Sequence, residues 1–103
     1  MIIYSVTIQI DPDVERDWLS WMKNVHIPEV MATGCFVENR FCQLIEPIVD
    51  PDMGTTYNIQ YSCQDQAAFD QYQSQYAPAL QQDHRERYEG YFVVFRTVLE
   101  QLN

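Results

Sequence analysis

The chain has 103 residues, enough for a single domain over 1–103, and its 47% hydrophobic and 14% aromatic content supports a buried core rather than disorder. Six basic side chains against fifteen acidic ones give a net charge of -9, which argues against nucleic acid and anionic membrane surfaces as partners. No apolar run nears the roughly 20 residues that span a bilayer.

No charged-then-apolar stretch of signal-peptide form opens the sequence. Cys35, Cys42 and Cys63 are odd in number and lack a CxxC spacing, so neither a disulfide framework nor a structural zinc site is expected. These features predict a cytoplasmic protein. Cys42 and Cys63 fall in strand-like segments and are expected to be small buried hydrophobes.

Residues 2–10 alternate, with Tyr4, Val6, Ile8 and Ile10 on one face, and predict a strand. Asp11-Pro12 reads as a helix N-cap followed by proline at the first helical position. Val14, Trp18, Trp21, Met22 and Val25 follow as one helical stripe. Pro28 predicts a kink, then a short helical turn through Ala32 and a stop at Gly34. Residues 36–45 read as an edge strand, and residues 46–54, rich in proline and acid, as a loop. Residues 55–63 alternate again, with Tyr57, Ile59, Tyr61 and Cys63 sharing a face. Asp65 suits an N-cap for a second helix, whose stripe is Phe69, Tyr72, Tyr76, Leu80 and His84, interrupted at Pro78. Residues 91–99 form a last strand, apolar on both faces.

The order βαββαβ predicts an α+β, ferredoxin-like sandwich: a four-stranded antiparallel sheet with two helices on one face. The first and third strands are its central neighbours. The other sheet face, with Ser5, Thr7, Gln9, Asn58, Gln60 and Ser62, has no helix to cover it. The economical solution is a second copy, sheet against sheet, closing an α/β barrel with the last strand as a seam. A solvated face on a monomer is the simpler alternative.

The stretch Trp18 to Phe36, with its W-x-x-W-M-x-x-x-H-I-P pattern, and the stretch Phe69 to Glu100, with A-P-x-L-x-x-x-H, resemble the dimeric α/β-barrel superfamily. Within it they are most similar to a small bacterial branch known only as a domain of unknown function. The resemblance implies the same fold and a homodimer. It implies no single activity, because relatives include monooxygenases, isomerases, haem-degrading and haem-peroxidase-like enzymes and proteins without known chemistry.

His26 is the candidate catalytic residue, a general acid or base beside the Pro28 kink. The structural alternative is a histidine bonded to a backbone carbonyl freed by the proline. His84 extends the second helical stripe toward the sheet; no haem motif surrounds either histidine, and no cofactor or metal site is expected. Tyr57, Tyr61, His84 and Arg96 are the candidate ligand-binding residues: hydroxyls on an aromatic wall, an imidazole, and a guanidinium suited to a carboxylate or enolate. The structural alternatives are core packing for the tyrosines, an exposed edge position for Arg40 and an intersubunit ion pair for Arg96. Glu46, Asp50 and Asp52 match no calcium loop. Phosphate-loop, G-x-S-x-G, H-E-x-x-H and Rossmann patterns do not occur.

The residues thus predict a homodimer that binds, and in one form converts without a cofactor, a small, largely apolar molecule in a helix–sheet pocket. The competing expectation is a non-catalytic interaction dimer. A cavity of about 300 Å³ touching His26 favours binding, and a filled core favours the second.

Overall fold

Alternation of apolar side chains makes the centre of the sheet. In the computed structural model, which describes residues 1–47 and 50–103, strand β1 (Ile2–Ile10) buries Tyr4, Val6, Ile8 and Ile10 on one face. Strand β3 (Thr55–Cys63) buries Tyr57, Ile59, Tyr61 and Cys63 on the same side. Both strands match the ranges predicted from alternation. With β2 (Glu38–Gln43) and β4 (Phe92–Glu100) they form one antiparallel sheet in the order β2-β3-β1-β4. The chain is therefore an α+β fold with a four-stranded antiparallel sheet, as expected.

The first helical stretch departs from the sequence reading in an instructive way. Asp11 does not cap the helix; its Oδ1 accepts from the Asp13 N–H at 2.8 Å, closing a local turn ahead of α1 (Glu15–Trp21). A π-helical turn (Met22–His26) follows, and then α2 (Ile27–Ala32), with Pro28 in its first turn. Across the π turn the Ile27 N–H bonds the Met22 carbonyl, five residues back. The buried positions are accordingly Trp18, Met22, Ile27 and Val30. Val25, which regular helical spacing puts in the stripe, is 38% exposed. The widened turn absorbs the break expected at Pro28 and moves the core position from 25 to 27. Gly34, at φ +77°, ends the stretch as predicted.

The second helical stretch follows its sequence signals. The Asp65 carboxylate accepts from the Ala68 N–H at 2.9 Å and caps α3 (Gln66–Gln75). Tyr76, at φ -123°, breaks the helix just before Pro78, and α4 (Ala77–Tyr88) continues it. The core lies between these helices and the sheet. Met22, Ile10 and Ile59 are almost wholly buried there, each worth roughly 1.5–3 kcal/mol of burial.

Two further expectations are corrected. Strand β2 is shorter than predicted, ending at Gln43, although Leu44 N–H still bonds Thr56 O at 2.8 Å. Cys42 is exposed rather than buried, because it pairs with Asn58 on the face without helices. Within the loop at 46–54, Ile48 and Val49 lie outside the described residues, and a 3-10 turn (Pro51–Met53) occupies part of the remainder. Among the described residues no helix is long and apolar enough to cross a membrane.

Candidate functional site

Register decides which side chains of the sheet meet the helices. Tyr4 stands opposite Tyr61 on one side and Val98 on the other, and Val6 opposite Ile59 and Arg96. Arg96 therefore faces the helices, although its position on an edge strand leaves it exposed. Arg40, opposite Gln60, lies exposed on the uncovered face. From above, the π turn delivers His26, α3 delivers Tyr72 and α4 delivers His84. Tyr4, Tyr61, Tyr72, His26, His84 and Arg96 line one cavity.

The cavity holds about 30 Å³, room for about two water molecules. That is a tenth of the volume set as the mark of an organic ligand, so the closed form admits water-sized molecules only. Its floor is buried. The lining residues that are not buried are His26, Leu80, Gln81 and Arg96, and these make the mouth. Gln81 Nε2 donates to the Tyr4 hydroxyl at 3.4 Å and ties the mouth to the floor.

The two imidazoles sit 5.9 Å apart, centroid to centroid. His26 stacks on Trp21 at 5.0 Å, and its Nδ1 is buried without a hydrogen-bond partner. It does not cap a carbonyl at the proline, which the structural alternative requires. Burial holds its pKa down to about 4; the nearby Asp83 carboxylate opposes this and Arg96 reinforces it. His84 is also lowered to about 4, first by burial and then by the charges of His26 and Arg96. Both rings are neutral at pH 7.

His84 has a specific neighbour that the sequence reading missed. The Trp18 indole N–H donates to His84 Nε2 at 2.9 Å, deep in the core. Trp18 and His84 are 66 residues apart, and no local spacing signals the pair. Tyr72 and Gln81 were also missed as site residues, although Tyr72 stands in the predicted stripe. The tyrosine hydroxyls at the floor are neutral: burial raises the pKa of Tyr4, Tyr61 and Tyr72 alike.

Of the residues singled out by sequence, His26, His84, Tyr61 and Arg96 come together. Tyr57 stands apart from them. It packs beside Trp18 and Phe41, and its hydroxyl donates to Glu15 Oε2 at 2.5 Å. Burial, and then the Glu15 carboxylate, push its pKa up. Among the described residues no cluster of three or more His, Cys, Asp or Glu side chains is placed to hold a metal ion.

The uncovered sheet face carries a second concavity of about 590 Å³, lined by Thr7, Asn58, Gln60, Val93 and Phe95 among others. Val93, Phe95 and Leu99 are 63%, 61% and 48% exposed.

Comparison with known proteins agrees with this architecture. A family model described as "Domain of unknown function (DUF4286)" matches residues 1–102. HapK from Hahella chejuensis superposes with a TM-score of 0.73 at 19% identity, over 100% of this chain and 94% of its own. A mutant of SnoaB, a cofactor-independent oxygenase from Streptomyces nogalater, gives 0.67 at 12% identity, over 99% and 94%. A dimeric ferredoxin-like protein of unknown function from Jannaschia sp. CCS1 gives 0.54 at 14% identity, over 98% and 100%. These likenesses establish the ferredoxin-like fold. No curated protein matches the chain.

Proposed function

The chain belongs to the DUF4286 family, and we propose that it is a homodimer whose protomers each bind a small, largely apolar organic molecule between helix and sheet. The observation that carries this reading is His26 Nδ1: a buried, unpartnered polar atom at a cavity that also holds His84, Tyr61 and Arg96. An unsatisfied buried polar group costs about 1–3 kcal/mol, and a ligand supplies its missing partner. The π turn that carries His26 is a feature frequent at functional sites. Entry requires the mouth side chains, Leu80 and Gln81 above all, to turn aside.

Chemically the pocket suits proton transfer. The neutral His26 imidazole is free to accept a proton; burial makes it a weak base, and a ligand anion beside it strengthens it. Homodimerisation is supported by the apolar side chains on the uncovered face and by the dimeric neighbour of the same fold.

The small cavity favours a second reading, in which the dimer is itself the product and the polar residues serve folding. Native mass spectrometry of protein purified from its own host separates the two. A non-covalent adduct at the dimer mass, lost in His26→Ala, is the expected result. A dimer without adduct, unchanged by Leu80→Ala at the mouth, would leave the second reading standing.

A further inference from the structure

Trp18 decides what the pocket offers its ligand. Its indole nitrogen is a donor and never an acceptor. The bond to His84 Nε2 therefore requires a lone pair on that nitrogen, and Trp18 has no access to solvent to trade the bond for water. A neutral His84 must then carry its proton on Nδ1. Among the described residues that N–H makes no hydrogen bond, and it belongs to a ring lining the cavity. The groups around it are all donors or neutral: the Arg96 guanidinium, the hydroxyls of Tyr4, Tyr61 and Tyr72, and the Gln81 amide. Among the described residues no carboxylate lines the cavity and Arg96 has no ion-pair partner. Asp83 lies outside, near enough to His26 to favour its protonated form.

We propose that Trp18 is a positioning residue, which fixes His84 as an Nδ1–H donor, and that the pocket thereby selects ligands with an ionisable oxygen, phenols or enolisable carbonyl compounds, and holds them as the anion. This rests on the binding reading above and names its ligand class. On ionisation the ligand's O–H, or the C–H beside its carbonyl, breaks. The electron pair stays on the ligand as a phenolate or enolate, and the proton passes to the free nitrogen of His26. The oxyanion accepts from His84 Nδ1–H and faces Arg96, and its charge in turn stabilises the His26 imidazolium.

The chain has two histidines, so ¹⁵N-histidine labelling gives two ring systems, assigned by His26→Gln. At pH 7 the His84 ring is expected as the Nδ1–H form; an Nε2–H form or an imidazolium overturns the assignment. The ligand arm uses 4-nitrophenol, whose phenolate is coloured, with tryptophan quenching as the measure of binding. Its pKa is expected to fall by about one unit or more on binding. Trp18→Phe and Arg96→Met should each diminish that shift and weaken binding at pH values where the free probe is ionised; if Trp18→Phe does not fold, the ring measurement on the unaltered protein and Arg96→Met still decide. Quenching with an unchanged or raised probe pKa overturns the anion selectivity and leaves the binding reading intact. No quenching at all overturns both.

Discussion

Phe95 stands opposite Thr7 on the face of the sheet that no helix covers, while the next position back, Val94, stands opposite Ile8 and packs against the core. One strand thus serves two surfaces, and a one-residue step moves a side chain from one to the other.

The two positions should respond differently to charge. The unaltered protein is expected to sediment as a dimer, and Phe95→Asp as a folded monomer at the same concentration. Val94→Asp should instead lower the melting temperature sharply, because it puts a carboxylate among apolar side chains. A Phe95→Asp protein that remains dimeric would rule out the sheet face as the seam.

His26→Ala should cost little. The ring makes no hydrogen bond to the helix backbone through its buried nitrogen, so the change removes a stack on Trp21 and an unsatisfied polar atom together. The expected loss is below about 1 kcal/mol, a fall in melting temperature of less than about 8 °C. A larger fall in the thermal melt would assign His26 to the folding of the π turn.

Acid should weaken the fold through the same pair of rings. Both titrate near 4 in the folded chain against an ordinary value of 6.5. Between those values the unfolded chain binds protons that the folded chain does not, so stability falls as pH drops from 6.5 toward 4 and these groups add no slope above 6.5. The loss is on the order of a few kcal/mol. Melting curves at pH 7.5 and pH 4.5, conditions on either side of the transition (about one unit from the ordinary pKa at the upper end), should diverge more for the natural protein than for a His26→Gln, His84→Gln double variant. Parallel behaviour would refute the shift.

Gly54 and Gly34 both have positive φ but differ in their surroundings. A Cβ on Gly54 would lie 1.9 Å from the Ile10 carbonyl oxygen, whereas nothing stands within 4 Å at Gly34. Gly34→Ala should cost about 1–2 kcal/mol for its backbone conformation alone. Gly54→Ala should cost several kcal/mol more, because the clash is with backbone and the end of β1 must shift. Urea unfolding of the two variants checks the order.

Much of this was legible before the fold was known, and the exceptions have physical causes. Strands β1 and β3 are readable residue for residue because each buries one face and exposes the other to a polar surface. The Asp65 cap is readable because the helix begins immediately after it; Asp11 carries the same signal but spends its side chain on a turn. Val25 misleads because periodicity assumes 3.6 residues per turn throughout, and the chain departs from it at residues 22–26. Tyr57 and Tyr61 share a face, and alternation rightly groups them. Four residues of strand nevertheless separate them by about 13 Å, which puts one at Glu15 and the other at the cavity. The pairing of Trp18 with His84 depends on how two helices cross one sheet, and no local pattern records it.

The step of five from Met22 to Ile27 also bears on how such a pocket arises. A helix that reached the same core positions by ordinary spacing would need one residue fewer in that interval. The surplus residue costs the core nothing, since Met22, Ile27 and Val30 remain buried, and the turn that contains it carries His26, which lines the cavity. Gain or loss of a single codon between 22 and 27 is therefore expected to give a fold of this shape an imidazole at its cavity or to take it away. Related chains that are one residue shorter here should have an unbroken α-helix and an inert interior, which makes length at this point, more than residue identity, the character to follow through the family.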